Sequence, residues 1–246
     1  MLDWKSNYLE IVRSGVVCAV LPVGACEGHG PHLPVGTDSF ITQKIASAIA
    51  EELNAYLLPL LPFGTSEEHI GFRGTVSLRH STLAAVLQDI VESLDRTGFR
   101  TLVIVSLHGG NYILNSDFLK LLENRHPKMR LIFCDIKDSW RAALKEAKIE
   151  TKDLHAGEVE TSLILALHPE LVKNQKPDFP ITAETFKNVH TDHTGFPSDV
   201  SSVSETGVLG CPSKANREKG EVFLSKFLQM IISQIKSLSC DRNTTS

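Results

Sequence analysis

Short apolar segments alternate along the chain with longer segments in which apolar residues recur every three or four positions. The short segments are typical of buried strands, because they are rich in apolar residues and have no polar face. They lie at 15–23, 56–61, 101–107 and 130–136. The longer segments predict amphipathic helices. These lie at 39–53, 83–94, 113–124, 139–148, 158–167 and 218–238.

The alternation of strand and helix predicts an α/β fold in which a mostly parallel sheet is covered by helices on both faces. Residues 171–216 are rich in Pro, Gly, Ser, Thr and His and show no clear period. We therefore expect a structured loop region there that lies near the functional site. A chain of 246 residues fits one domain of this class, and we predict a single domain over 1–246.

Composition and charge exclude several classes of protein. With 42% hydrophobic and 22% charged residues, the chain can bury enough apolar surface to fold, so disorder is not its main state. The net charge of −4 and the lack of a dominant Lys/Arg cluster argue against a nucleic-acid partner. No apolar run approaches the roughly 18 residues that suggest a membrane span, so we expect no membrane partner.

The cysteines and the first residues bear on location. Five cysteines are scattered without a C-x-x-C pair, which predicts neither a disulfide framework nor a thiolate zinc site. The opening sequence MLDWKSNYLE lacks the basic and apolar regions of a secretory leader. We therefore expect a cytoplasmic protein.

Polar residues that could carry chemistry follow three of the predicted strands. The first strand is followed by Glu27, His29 and Asp38, and the second by the segment 66–69. The third is followed by His108 in the sequence His-Gly-Gly-Asn. Ligands of open α/β sheets bind beyond the carboxyl ends of the strands, which lie at one edge. The sequence thus predicts that these side chains converge on one site.

The residue types at this edge point to a metal ion. Glu27 and His29 stand two residues apart, so in an extended segment their side chains point to the same side. Asp38 follows a Gly/Pro-rich turn and begins the next predicted helix. Together with His108, these groups suit a divalent transition ion such as Zn or Mn rather than Ca, which takes oxygen ligands.

Each part of this pattern has a simpler explanation when it is taken alone. Asp38 alone would be a helix N-cap, and the His-Gly-Gly-Asn turn alone could equally bind a phosphate at a helix N-terminus. The combination of Glu27, His29, Asp38 and His108 favours the metal site.

A third polar segment, 153–162, opens a predicted helix. If that helix has begun by His155, then His155 and Glu158 share a face, three residues apart. Glu158 and Glu160 are about 200° apart around the axis, so they cannot both point at one ion. The alternative is that these acidic residues stabilise the first helical turn through the helix dipole.

Four further residues are weaker candidates. Cys26 could be a nucleophile, but it alternates with Glu27 and is expected to face the opposite side. His190 and His193, in the late loop region, are expected at the surface rather than in the site. Trp140 is expected in the core or at an interface.

Four sequence blocks resemble the creatininase (creatinine amidohydrolase) family. They are 21–38 (LPVGACEGHGPHLPVGTD), 68–78 (EHIGFRGTVSL), 106–111 (SLHGGN) and 155–162 (HAGEVETS), and they occur in the family's order. The pattern E-x-H-G-x-H-L-P-x-x-T-D in the first block is long and specific. On these residues the chain is identified as a member of that family.

The resemblance implies a three-layer α/β/α sandwich around a mostly parallel sheet. It also implies a centre of two divalent metal ions (Zn, Mn or Fe) that hydrolyses an amide-type C–N bond in a small substrate. Carried over by position, Glu27 and His108 would bind the first ion, His29 the second, and Asp38 both.

One position departs from the family pattern. In creatininase a glutamate that binds the second metal lies two positions after the histidine that matches His108, and this chain has Gly110 there. Glu158 is the candidate replacement, both as a ligand and in catalysis. We expect His155 to carry a proton to the leaving nitrogen, and Ser66 and Asp153 to contact the substrate.

Two residues that orient other groups are also expected around this centre. His32 and Asn111 would hold the metal ligands in place. Of the two, His32 is interpreted as structural.

The resemblance leaves the substrate open. Lys152 and Gly109 stand where creatininase has a tryptophan and a tyrosine, so its creatinine pocket is not reproduced. Formamidopyrimidine nucleotide deformylases and a mycofactocin precursor peptidase resemble the chain as well. A homo-oligomer, a hexamer by resemblance, is expected.

The rival class is a non-catalytic nucleotide or sugar-phosphate binding module, which would hold its ligand at the glycine turns. Metal analysis separates the two classes, because a phosphate binder needs no transition ion.

Overall fold

A computed structural model describes residues 1–114, 116–134, 136–182, 184–185 and 197–240. The predicted loop residues His190 and His193 lie outside the described residues, as does part of the 171–216 loop region. The described remainder of that region holds short 3₁₀ turns rather than long helices or strands. One of these turns spans Val200–Ser202 and another spans Pro212–Lys214.

Five described strands form one sheet in which every strand pair is parallel. In chain order they are β1 (Leu2–Asp3), β2 (Cys18–Pro22), β3 (Tyr56–Leu57), β4 (Thr101–Val105) and β5 (Arg130–Phe133). Their order across the sheet is β1-β3-β2-β4-β5, with β2 at the centre. The pairing of β2 with β4 runs over five residue pairs, from Cys18↔Thr101 to Pro22↔Val105.

Seven α-helices connect and cover the strands in the described part of the chain. They are α1 (Tyr8–Ser14), α2 (Thr37–Glu52), α3 (His80–Arg96), α4 (Ser116–Arg125), α5 (Lys137–Glu146), α6 (Glu158–Leu167) and α7 (Arg217–Cys240). None of these helices combines the length and apolar composition that would carry it across a bilayer.

The helices lie in two layers because successive strand side chains face opposite sides of the sheet. On one face Val20 and Val103 pack with α2, α5, α6 and α7, and on the other Leu21 and Ile104 pack with α3 and α4. The predicted parallel α/β fold with helices on both faces is confirmed. Trp140 packs edge-on against Phe223 of α7 and is a core-flanking aromatic residue.

The observed strands are shorter than the apolar segments of the sequence predict. The predicted strand at 56–61 is only Tyr56–Leu57, and the chain then returns to the sheet through a single bridge between Val23 and Leu61. Pro59, which cannot donate a ladder hydrogen bond, lies between these points. The sequence pattern did not indicate β1 or α1, because α1 has no buried residue and β1 has two residues.

Candidate metal centre

The functional side chains come from loops at the carboxyl ends of β2, β3 and β4 and from the starts of two helices. Asp38 is the second residue of α2, and Glu160 lies in the first turn of α6. Glu27 is held in its loop by the hydrogen bond from its amide to the carbonyl oxygen of Val35, 2.9 Å away. The same loop passes Gly30, whose φ of +71° and close approach to Val208 require glycine.

Asp38 lies between two histidines. Its Oδ2 atom is 3.6 Å from Nε2 of His29 and 3.7 Å from Nδ1 of His108. Nδ1 of His29 donates to the carbonyl oxygen of Glu27 at 3.1 Å, since a carbonyl can only accept, and this leaves Nε2 facing Asp38. One carboxylate oxygen is therefore shared by two separate imidazoles.

Glu27 lies close to three histidines, one of which is His108. Its Oε2 atom lies 3.3 Å from Nε2 of His108, and its Oε1 atom lies 3.5 Å from Nε2 of His69 and 3.6 Å from Nδ1 of His155. Nε2 of His108 also lies 2.8 Å from the carbonyl oxygen of Thr65, which accepts from that nitrogen when it is protonated.

The cluster fits a divalent metal better than it fits a hydrogen-bonded network. Oε2 of Glu27, Nε2 of His29 and Oδ2 of Asp38 are buried and have no hydrogen-bond partner. Buried polar atoms are normally satisfied, and these three are of the types that bind Zn or Mn. Among the described residues there are three groups whose donor atoms lie within 4.8 Å of one another: Glu27/His29/His155, Glu27/Glu68/His108 and His29/Asp38/Glu160.

The structure brings Glu27, His29, Asp38 and His108 together and places Glu158 elsewhere. The Glu158 carboxylate is buried against Thr151 and Lys219, which both donate hydrogen bonds to it. Glu160 takes the position expected for Glu158, with Oε2 3.9 Å from Nε2 of His29. The physical reason is helix phase, because residues two apart on a helix point in nearly opposite directions.

His155 does not belong to the helix, and the premise that it shares a helical face with Glu158 is wrong. It precedes α6, is followed by Ala156 at φ +50°, and forms a bridge with Leu209 of the late loop region. Nε2 of His155 donates to the carbonyl oxygen of Gly28 at 2.8 Å. Its Nδ1 atom therefore faces Glu27.

The side chains of Ser66 and Asp153 do not line the cavity beside the cluster. Ser66 is fully buried, and its hydroxyl lies 3.4 Å from Nε2 of His108. Asp153 accepts hydrogen bonds from the amides of Val159, at the start of α6, and Cys211. Both residues thus position the segments around the cluster. Neither lines the cavity, as the predicted contact with the substrate would require.

Asn111 forms hydrogen bonds to the loops that follow β2, β3 and β4. Its amide nitrogen donates to the carbonyl oxygen of Gly24 at 3.1 Å and to the hydroxyl of Ser106 at 3.0 Å, and its oxygen accepts from the amide of Thr65 at 3.0 Å. His32, by contrast, contacts Thr161 of α6 through Nε2 at 2.9 Å and lies outside the cluster.

Burial and neighbouring charge raise the pKa values of Glu27 and Glu160. Burial raises the pKa of Glu27 to about 7; Asp38 adds to the rise, while His108 and His29 oppose it. Desolvation likewise raises the pKa of Glu160 to about 7, with His29 opposing it.

The histidines divide into two kinds. Burial disfavours the cationic form of His108, but Glu27, Asp38 and Glu68 outweigh it and raise the pKa to about 9. The pKa of His29 is raised in the same way, with Asp38 and Glu160 outweighing burial. In His69 and His155, burial and the neighbouring histidines lower the pKa well below the ordinary value, so both rings are neutral.

The sequence predicted that the segment 66–69 lies at this edge but did not assign Glu68 or His69 as ligands, and it did not assign Glu160 as one. Glu68 and His69 lie in or beside a 3₁₀ turn at the carboxyl end of β3, where polar residues are expected to gather. That position was the available signal. Apart from its position in the first turn of α6, no sequence signal indicated Glu160.

A cavity of about 490 Å³ opens onto the cluster. The cluster residues that line it are Glu27, Asp38, His108, His155 and Glu160. The other lining residues include His80, Tyr112, Leu154, Pro197 and Ser198, so part of the late loop region reaches the site. A small ligand could thus reach the carboxylates and histidines from outside.

A carboxylate shared by two imidazoles, at the carboxyl edge of a parallel sheet and beside an open cavity, is the arrangement expected of a metal-dependent α/β hydrolase. The family model described as Creatininase: Creatinine amidohydrolase matches residues 4–235. The chain belongs to the creatininase family and is a metal-dependent hydrolase of C–N bonds.

Curated relatives are similar over nearly the whole chain. The creatinine amidohydrolase of Pseudomonas putida is 32% identical over 96% of this chain and 94% of its own length. The mycofactocin precursor peptide peptidase of Mycolicibacterium smegmatis is 30% identical over 94% of this chain and 90% of its own length.

Solved creatininase structures share the fold. A crystal structure of creatinine amidohydrolase has a TM-score of 0.83 and 28% identity, and it covers 96% of this chain and 97% of its own. A structure of creatininase with Mn has a TM-score of 0.82 and 29% identity, with 96% and 98% covered. The three-layer arrangement expected from the resemblance is confirmed, and divalent metal binding is supported.

Proposed function

We propose that this protein uses two divalent metal ions, Zn, Mn or Fe, to hydrolyse an amide-type C–N bond in a small substrate. The observation that carries the proposal is the position of Asp38, whose Oδ2 atom faces both His29 and His108 at nearly equal distance. His29 and His108 belong to different groups of donor atoms, so two ions, and not one, account for both. Two ions that share Asp38 would use both.

The donors divide into two sets around Asp38. Glu27 and His108 would hold the first ion, and His29 and Glu160 the second, with Asp38 common to both. When bound, such ions lower the pKa of water and polarise the carbonyl group of a substrate. The buried partnerless atoms on Glu27, His29 and Asp38 support this assignment.

His155 is the residue best placed to move a proton. Its Nε2 atom is occupied by the carbonyl oxygen of Gly28, so the ring is oriented and only Nδ1 is available to exchange a proton. Burial and the adjacent histidines lower the pKa of the ring, so the ring is neutral. It accepts a proton readily only from a group that has itself been made more acidic, such as a metal-activated water. We assign it to take up a proton and pass it to the leaving nitrogen.

The substrate proposed is a small non-protein amide, and a short peptide is the second candidate. The peptide candidate is supported by the likeness to the mycofactocin precursor peptide peptidase. It is also supported by Gly109, where an added side chain would meet nothing within 4 Å, so the cavity is open at that position. A formamide is a third substrate type to be tested.

The proposal includes a single domain over 1–246, a cytoplasmic location and a homo-oligomer, with a hexamer expected from the family resemblance. Support for the location comes from the cysteines at 18, 26, 134 and 211, which are all free thiols.

The test combines metal analysis with a substrate panel. The purified protein should contain two transition ions per chain and should lose activity to a chelator and recover it with Mn²⁺ or Zn²⁺. Metal-loaded protein is then assayed against small cyclic amides, formamides and short peptides. Protein that binds no transition ion at saturating Mn²⁺ and Zn²⁺ would instead favour the phosphate-binding module, to be probed with inorganic phosphate.

A further inference from the structure

Glu68 reaches the cluster from a different loop than the other carboxylates. It lies in the 3₁₀ turn Glu67–His69 that follows β3, and its Oε1 atom is 3.9 Å from Nε2 of His108. Donor atoms of Glu68, Glu27 and His108 lie within 4.8 Å of one another. Its side chain is 19% exposed and lines the cavity, whereas the Glu27 side chain is almost completely buried.

Gly110 creates the space that Glu68 enters. A Cβ atom on residue 110 would lie 2.8 Å from Oε1 of Glu68, 2.4 Å from Nε2 of His108 and 2.0 Å from the carbonyl oxygen of Thr65. These distances are too short for a real side chain. With this backbone, residue 110 can have no side chain while Glu68 is in place.

The close packing of the two loops is fixed by hydrogen bonds. The hydroxyl of Thr65 donates to the carbonyl oxygen of Gly110, and the amide of Thr65 donates to Oδ1 of Asn111. The 64–69 segment is thus attached directly to the turn that follows His108. Glu68 is carried into the cluster by this attachment, and its position does not depend on a free loop.

We propose that Glu68 is a metal ligand of the Glu27/His108 subsite and supplies it with a further carboxylate, in the space that Gly110 leaves free. This inference deepens the proposed function and rests on it. Glu158, which the sequence suggested as the replacement for the missing second-metal glutamate, is paired with Lys219 and lies outside the cluster. Glu160 belongs to the other donor group, with His29 and Asp38. Of the described carboxylates, Glu68 is the one that contributes to the group around His108 beside Glu27.

The experiment compares Glu68→Gln with Glu67→Gln by metal binding. Both substitutions remove one negative charge from the same turn, but the exposed Glu67 is absent from every described donor group. Mn²⁺ and Zn²⁺ are titrated into chelator-treated full-length protein, and metal per chain is measured after dialysis. Glu68→Gln should keep one ion at wild-type affinity and bind the other roughly 10–100-fold more weakly, whereas Glu67→Gln should keep both.

Two ions bound at wild-type affinity by Glu68→Gln would overturn the assignment. Equal weakening in Glu67→Gln would also overturn it, since the effect would then come from general charge. Because Glu68→Gln could impair folding, Glu68→Asp is the second variant: it keeps the charge but shortens the reach, and it should weaken the same single ion. Unchanged binding in Glu68→Asp and an unchanged thermal midpoint would count against ligation.

Failure of this inference is distinct from failure of the proposed function. If the wild-type protein binds two ions and Glu68→Gln does too, only the role of Glu68 is lost. If the wild-type protein binds fewer than two, the binuclear proposal itself is lost.

Discussion

The ammonium group of Lys219 donates a hydrogen bond to the carboxylate of Glu158 across the interface between α7 and α6. Glu158 is buried and also accepts from Thr151, so its charge is satisfied away from the metal cluster. Glu160, two residues later, turns towards His29. Two neighbouring glutamates on one helix therefore have different tasks, one in packing and one in the site.

The two glutamates should respond differently to the same substitution. Glu158→Gln should lower the free energy of unfolding by about 1–3 kcal/mol, because a buried charged hydrogen bond is weakened, while metal content stays at the wild-type value. Glu160→Gln should remove or weaken one ion and change stability of the chelator-treated protein little. Chemical denaturation and metal analysis of both variants check this. Loss of metal in Glu158→Gln alone would return Glu158 to the site.

Replacement of Asp38 should affect both ions. Asp38→Asn keeps the shape of the side chain but replaces the shared Oδ2 atom by an uncharged group, so metal per chain should fall towards zero and activity should fall with it. Metal analysis after dialysis measures the effect. Retention of two ions by Asp38→Asn would contradict the bridging role, and Asp89→Asn on α3 controls for the loss of a distant charge.

His155 should matter for turnover more than for metal. His155→Gln should keep both ions and slow turnover by roughly 10²–10⁴-fold, the usual contribution of a general acid–base residue. The measurement is kcat with metal content determined on the same sample. Since Nδ1 of His155 is also close to Glu27, loss of an ion would reassign His155 as a ligand.

Metal affinity should rise with pH, because ions compete with protons for the same atoms. The pKa is about 9 for His108 and about 7 for Glu27 and Glu160, so these groups hold protons below those values and release them when an ion binds. Affinity for Mn²⁺ should therefore fall as pH falls from 9 to 6, by about tenfold per pH unit for each proton displaced, and more steeply below 7. Titrations at pH 6, 7, 8 and 9 check this.

A variant identifies the proton that is released at higher pH. His108→Gln removes one of the protons that an ion displaces, so the loss of Mn²⁺ affinity between pH 9 and 7 should be smaller in this variant than in the wild type. Affinity that does not change with pH in the wild type would contradict the proton-competition account.

Asn111 should act through the loops it connects. Asn111→Ala removes hydrogen bonds to Gly24, Thr65 and Ser106, so the ligands carried by those loops would lose their relative positions. We expect metal affinity to fall by roughly 10–100-fold, the usual effect of removing a group that orients ligands. Calorimetric Mn²⁺ titration measures the loss. Gln88→Ala, at the exposed end of a pair with Arg125, serves as the control.

The local pattern was sufficient for most of the long elements. The period of three or four residues at 158–167 coincides with α6, and the apolar run at 101–107 contains β4. The carboxyl-edge rule also indicated that Glu27, His29, Asp38 and His108 would meet, and they do. The hydrophobic pattern could not reveal α1, because the side chains of that helix are not buried and its apolar residues show no core-facing period.

The amino-acid order alone thus determined the layer architecture and the family, because hydrophobic period and a long specific block are local properties of the chain. Only the tertiary structure decided which glutamates enter the cluster. Helix α6 packs closely on α7, where Gly220 leaves room for the carbonyl oxygen of Ser162, and in this packing Glu160 points inwards and Glu158 faces Lys219. Glu68 enters across Gly110 from another loop, and such a contact between distant segments leaves no period in the sequence.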